Sequence, residues 1–175
     1  MDNLGEAVER VRAGDAAAFQ RIVDATSARL VRLAARMLGN VIDAEDVVQE
    51  AYVKAYRGLM ADEFDGRANV STWLYRIVTN QSLDAMRSRK RRPQPTDLAD
   101  ESTSDLASAE TKLALAELSD WLGDLPPDQK AALVLKAVEG LTSPEIAEVL
   151  QCSEGAVEQR LVRARSALRK RSEGQ

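Results

Sequence analysis

The 175-residue sequence predicts an all-α protein built as two small helical domains. Three observations carry that expectation. Ala, Leu, Val, Arg and Glu dominate while aromatics are only 4%, a composition that favours helices over sheets. Apolar residues recur at three- and four-residue spacing through most of the chain, the period of a helix with one buried face. A polar, acidic segment, PQPTDLADESTSDLASAE, lacks that period and follows a helix closed by Pro93 and Pro95, so it reads as a flexible linker. The expected division is 1–92, 93–109 and 110–175.

The first helix spans about 4–13 and stops near Gly14-Asp15. The second spans about 16–38, with Phe19, Ile22, Val23, Leu30, Leu33, Ala34 and Met37 on one face and Gly39-Asn40 as its stop. The third, about 43–60, takes Asp43 as its N-cap, with acidic residues in the first turn where the helix dipole favours them. Its core face is Val47, Val48, Ala51, Tyr52, Ala55 and Leu59. After the loop ADEFDGRANV the fourth helix covers about 71–91, capped by Ser71, with Trp73, Leu74, Ile77, Val78 and Leu83 apolar. Beyond the linker, helices are expected at about 109–123, 127–138, 143–150 and 154–171.

Composition removes several classes of function. There is no histidine, the usual acid/base and metal ligand at neutral pH, and the single Cys152 offers neither an internal disulfide nor a metal-binding spacing. No cofactor or metal is therefore expected, nor an enzyme. Polar residues interrupt every apolar run near the N-terminus, and no stretch approaches the roughly 18 apolar residues of a membrane span. A cytoplasmic protein is the expectation.

The net charge of −4 hides segregation. Residues 71–92 hold six basic and one acidic side chain, residues 93–125 one basic and eight acidic, and residues 159–171 six basic and none acidic. Two basic blocks around an acidic one suggest nucleic acid touched at two places, or solvated helix faces.

The segment TSPEIAEVLQCSEGAVEQRLVRARSALRKR is a helix-turn-helix pattern. Thr142 or Ser143 caps a short helix, Pro144 is tolerated in its first turn, and Glu145 completes a capping box. Ile146, Ala147 and Leu150 point inward. A turn at Gln151-Cys152 leads to a second cap, Ser153, and to a helix whose buried stripe is Val157, Leu161, Ala164 and Leu168. Glu158, Gln159, Arg160, Arg163 and Arg169 lie largely off that stripe. A short helix, tight turn and longer basic helix can seat the latter in the DNA major groove, where Arg reaches phosphates or guanine and Gln pairs with adenine. An ordinary basic helical hairpin is the structural alternative.

The stretch DAEDVVQEAY, Asp43 to Tyr52, displays four carboxylates and a glutamine along one helix. Such a row can pair with an Arg-rich partner, or it can stabilise its own helix start. A catalytic carboxylate pair would need a pocket or a metal-ligand pattern that the sequence does not offer.

With DAEDVVQEAY, STWLYRIVTNQSLDAMRSRKRR and the C-terminal helix pair in this order, the chain resembles the extracytoplasmic-function group of bacterial sigma factors, over roughly 4–92 and 110–171. The resemblance implies a sigma-two-like four-helix domain and a sigma-four-like helix-turn-helix domain. It implies that Asp43, Glu45, Asp46, Gln49 and Glu50 dock on the clamp helices of the largest subunit of RNA polymerase core. It assigns the loop 64–71 and Asn80 to a pocket for a minus-ten base, with Arg76, Arg87, Lys90 and Arg91 towards phosphates. Trp73 and Tyr75 are then either stacking residues or core. Ser153, Glu158, Gln159, Arg160 and Arg163 would meet the minus-thirty-five element. Two residues depart from the usual pattern: Gln151 stands where Gly often makes the turn, and Glu158 where Lys, Arg or Ser is common. An anti-sigma partner is implied as well. The rival reading is an autonomous helix-turn-helix regulator, against which the sequence offers no dimerisation zipper or ligand domain.

Overall fold

The computed structural model describes residues 4–66, 68–91 and 120–173, with the backbone alone at 90 and 91. All regular structure among these residues is helical: α1 (Leu4–Arg12), α2 (Ala17–Leu38), α3 (Val41–Met60), α4 (Val70–Arg91), α5 (Pro127–Ala137), α6 (Ser143–Val149) and α7 (Glu154–Glu173). A further helical stretch occupies 120–123. The expected linker 93–109 and most of the expected helix 109–123 lie outside the described residues.

The first four helices form one unit around α2, whose Ile22, Leu33 and Met37 are fully buried. Each such side chain contributes roughly 1.5–3 kcal/mol through apolar burial. α1 lays Ala7, Val8 and Val11 against this core, and α3 adds Val48, Ala51, Ala55 and Leu59. Val47 and Tyr52, expected inside, are half-buried; the Tyr52 hydroxyl meets Thr26 Oγ1 at 2.7 Å. The α2 stop is as the sequence anticipates, with Gly39 left-handed at φ 74° and its N–H bonded to the Ala35 carbonyl.

Two caps differ from expectation. α3 begins at Val41 because Asn40, not Asp43, is the N-cap: its side-chain oxygen accepts from the N–H groups of Ile42 and Asp43. α4 likewise starts before Ser71, since Asn69 Oδ1 accepts the Thr72 N–H at 2.7 Å. In each case an Asn outside the predicted boundary reaches the open N–H groups first. α5 opens at Pro126-Pro127, where a missing N–H costs nothing.

In the helix-turn-helix, Thr142 and Glu145 form the expected reciprocal capping box and Ser153 Oγ accepts the Ala156 N–H at 3.2 Å. Val157, Leu161 and Ala164 are buried and Leu168 is half-buried. The last three helices pack on one another, and α5 and α6 also rest on α4 of the first unit.

Candidate polymerase and nucleic-acid interfaces

Residues 45, 46, 49 and 50 are one and four apart on α3, so they share a face of the helix. Glu45, Asp46, Gln49 and Glu50 are all exposed there, followed by Val53 at 51% exposure. Asp43 stands apart from this row. It is half-buried in the first turn and ion-paired with Arg89 of α4, whose guanidinium also donates to the Leu38 carbonyl at 3.2 Å. Asp43 thus joins α3 to α4 as well as favouring the positive end of its helix.

A small pocket of about 120 Å³ opens between the α3–α4 loop and α4, lined by Phe64, Asp65, Ala68, Thr72, Trp73 and Arg76, with Glu148 of α6 completing its wall. That is well below the roughly 300 Å³ at which small-molecule sites begin. Trp73 is 6% exposed and stacks obliquely on Phe64, ring centres 5.1 Å apart, so it belongs to the core and gives the pocket its floor. Gly58 permits this: a Cβ there would sit 3.1 Å from the Trp73 ring. Tyr75 points elsewhere, into the contact with the second helical unit. Arg76 and Asn80 are half-buried on α4, one helical turn apart, and Arg87 is exposed at its far end. Lys90 and Arg91 lie in the last turn of the same helix.

On α7, Ser153, Glu158, Gln159 and Arg163 are exposed around the N-terminal half, the part that a groove-binding helix presents to bases. Besides Ser153, whose hydroxyl caps the helix, two of the expected DNA-facing residues hold internal partners. The Ser143 hydroxyl donates to Glu158, which explains a carboxylate at that position: it ties α7 to the start of α6. Arg160 donates to Cys152 Sγ at 3.1 Å and lies 3.8 Å from Asp128. Gln151 makes the turn at φ 49°, the left-handed conformation for which Gly is the usual choice.

Sequence reasoning missed three carboxylates of the second unit. Glu139, with its side chain 4% exposed, accepts from Arg29 Nε of α2 and from the Tyr75 hydroxyl of α4, each at 2.8 Å. The Arg29 guanidinium also lies over the Tyr75 ring, 5.5 Å from its centre. Burial first, and then the bond to Glu139, push the Tyr75 phenol above its ordinary value, and Glu139 holds Arg29 above its own. Asp128 pairs at 3.0 Å with Arg87 and faces Arg160 as well. Glu148 is the pocket wall already described. Nothing in their neighbourhoods along the chain marks these three, because their partners lie far away in sequence.

Among the described residues no group of acidic or cysteine side chains is placed to hold a metal, and no helix is long and apolar enough to cross a membrane.

Comparison with known proteins decides what this assembly is. Residues 22–92 match the family model for sigma-70 region 2, and residues 115–168 match that for sigma-70 region 4. The ECF RNA polymerase sigma factor SigW of Bacillus subtilis is 36% identical over 93% of this chain and 93% of its own. The chain belongs to the extracytoplasmic-function sigma factors. Two solved structures have the same fold. One is CnrH in complex with the cytosolic domain of CnrY, with a TM-score of 0.71 at 28% identity, covering 96% of both chains. The other is the sigma factor RpoE in complex with the anti-sigma factor NepR from Bartonella quintana, with a TM-score of 0.66 at 27% identity, covering 87% of this chain and 94% of that one.

As a sigma factor the chain binds RNA polymerase and directs it to promoters, a role in transcription initiation. The acidic row, the basic helix and every lining residue of the pocket except Glu148 fall within its region 2, and the helix-turn-helix, with Glu148, falls within its region 4.

Proposed function

We propose that this sigma factor divides its work at 1–92, 93–109 and 110–175: core docking and start-site opening, a tether, and duplex recognition. Glu45, Asp46, Gln49 and Glu50 meet the clamp helices of the largest polymerase subunit through charge-assisted hydrogen bonds, while Asp43 shapes the edge of that surface from its pair with Arg89. The observation that carries the reading is the pocket beside α4. It is a narrow, aromatic-floored recess at the end of a basic helix, suited to hold one flat group by hydrogen bonds. A base leaving the minus-ten duplex needs such a recess. Arg76 supplies its polar edge, Asn80 follows one turn further along α4 to meet the neighbouring nucleotide, and Arg87, Lys90 and Arg91 lead the backbone away along the same helix. Ser153, Gln159, Arg160 and Arg163 read the minus-thirty-five duplex in the same scheme, with Glu158 supporting the fold of the motif and able to accept from cytosine.

Polymerase performs the chemistry of RNA synthesis, and the chain itself is a specificity subunit, not an enzyme. It acts in the cytoplasm, where bacterial polymerase works. The anti-sigma complexes of its structural neighbours support control of this chain by an anti-sigma protein.

Run-off transcription with purified bacterial core, this chain and a pool of genomic promoter fragments tests the reading. Transcripts with discrete starts, appearing only on addition of the chain, are expected, and Asp46→Arg should abolish core binding in co-sedimentation while the helix-turn-helix domain stays folded. A gel shift on duplex DNA without core, and no transcripts, would instead indicate an autonomous regulator.

A further inference from the structure

We propose that Arg12, the last residue of α1, is the positioning residue that sets the loop wall of the α4 pocket and, through it, the choice of base held there. The inference rests on the assignment of that pocket to a minus-ten base. α1 lies ahead of residues 22–92, the span matched to region 2, so an element outside that span takes part in reading the promoter.

The loop wall, which brings Phe64, Asp65 and Ala68 to the pocket, has a course that needs holding. It leaves α3 through Asp62, whose backbone is left-handed at φ 56°, and turns again at Gly66, φ 73°. A non-glycine residue keeps that conformation where its surroundings fix it. Asn69 fixes the far end by capping α4. Arg12 supplies a tie to the near end from a separate element. Its Nη2 lies 2.9 Å from the Asp62 carboxylate and also donates to the Phe64 carbonyl. Its guanidinium lies over the Phe64 ring as well, 5.7 Å from the centre. Glu9, one turn back on α1, holds Nη1 at 3.1 Å, and the buried Val8 and Val11 root that helix in the core. Arg12 Nε is buried with no hydrogen-bond partner among the described residues. A desolvated donor of that kind is unfavourable, and it accompanies a side chain placed for what its other nitrogens grip.

Arg12 is not itself a lining residue. It acts through Phe64, which packs on Trp73, the floor, with ring centres 5.1 Å apart. Releasing the Phe64 carbonyl and ring frees the wall to shift against the floor. A recess that accepts one flat group tells bases apart only while its walls stay within roughly 0.5 Å of the fitting geometry. Phosphate contacts along α4 have no such dependence. Loosening the wall therefore costs discrimination and spares backbone affinity.

Holoenzyme reconstituted from core and this chain provides the test. The probe is a fluorescein-labelled single strand carrying the minus-ten region of a promoter recovered by run-off transcription. Each base is replaced in turn by the other three and by an abasic site, and binding is followed by fluorescence anisotropy. The natural chain should show one position of sharp preference. Arg12→Ala should lower the preference there by roughly tenfold. Affinities for core, for duplex minus-thirty-five DNA and for the strand abasic at that position should stay unchanged. Arg12→Lys keeps the charge without the fork that spans two acceptors, so it should lose preference too. Asp62→Asn suits left-handed backbone, removes the paired charge from an 82% exposed side chain and leaves α1 untouched; it should give a smaller loss in the same direction. In a Trp121→Phe background, which leaves Trp73 as the one tryptophan, Arg12→Ala should shift its emission to the red. An unchanged preference or unshifted emission in Arg12→Ala, full recovery in Arg12→Lys, or an equal fall in affinity for every strand including the abasic one overturns the role of Arg12. A natural holoenzyme with no preferred base anywhere in the strand overturns the pocket assignment and this inference with it, whereas a preference that survives Arg12→Ala sinks the role of Arg12 alone.

Discussion

Gln151 holds the turn of the helix-turn-helix at φ 49°, a conformation that costs an L-residue about 1 kcal/mol relative to the right-handed region. Gln151→Gly should therefore stabilise the chain by about 0.5–1 kcal/mol, and Gln151→Val should destabilise it by more, since a β-branched side chain tolerates that region least. Thermal denaturation of the two variants checks the pair, and equal midpoints would refute the strain. Gln151 was legible as the turn residue because the flanking caps bracket it. Trp73 was less so: an apolar run on a basic helix suits a stacking platform as well as a core residue, and its burial against Phe64, with room made by the glycine at position 58, decides for the core. Asp43 and Glu158 were ambiguous in the same way. A carboxylate on an exposed helix face reads as a docking group until a partner such as Arg89 or Ser143 is brought beside it by the fold.

At the scale of elements, the short α6 depends on its ends. Seven residues make fewer than two turns and cannot hold a helix by propensity, so the Thr142–Glu145 box and burial of Ile146 and Val149 supply what the length does not. Thr142→Ala should cost about 1 kcal/mol of stability and Thr142→Ser much less, measured by chemical denaturation. The Glu145 carboxyl is held below its ordinary value by the Thr142 hydroxyl and then by the Thr142 N–H, so its share of the cap is present at neutral pH and fades as acid protonates it. Helix number and order were readable in advance for α1 to α4 and for the last three helices because the apolar period is clear in each, with Gly14 and Gly39 marking the stops of α1 and α2. The N-terminal boundaries of α3 and α4 slipped because Asn, Asp, Ser and Thr cluster there. Any of them can cap, and the choice falls to whichever side chain the preceding loop aims at the first free N–H groups.

At the scale of the whole molecule, the contact between domains was invisible in the sequence because it joins residues that local pattern does not relate, Arg29 to Glu139 and Arg87 to Asp128. Lys130 lies in the same region, 5% exposed, and burial, followed by the nearby Arg89 cation, lowers its pKa. Between that lowered value and the ordinary 10.5 the folded chain binds fewer protons than the unfolded one, so its stability rises with pH through this window. Lys130→Met should flatten that rise and stabilise the chain at neutral pH by about 1 kcal/mol, roughly 2–4 °C in Tm. A pH-stability curve that keeps its slope in the variant would exclude Lys130 as the source. The exposed acidic row of α3 has a consequence of another kind, in rates. In the docking role proposed for it, a carboxylate face that needs no rearrangement would be drawn towards cationic helices by long-range attraction, which speeds encounter and is damped as the Debye length shrinks to about 10 Å at 0.1 M salt. Where several such factors compete for a limited pool of polymerase, arrival time and the surrounding counter-ions would then share in deciding which one is loaded.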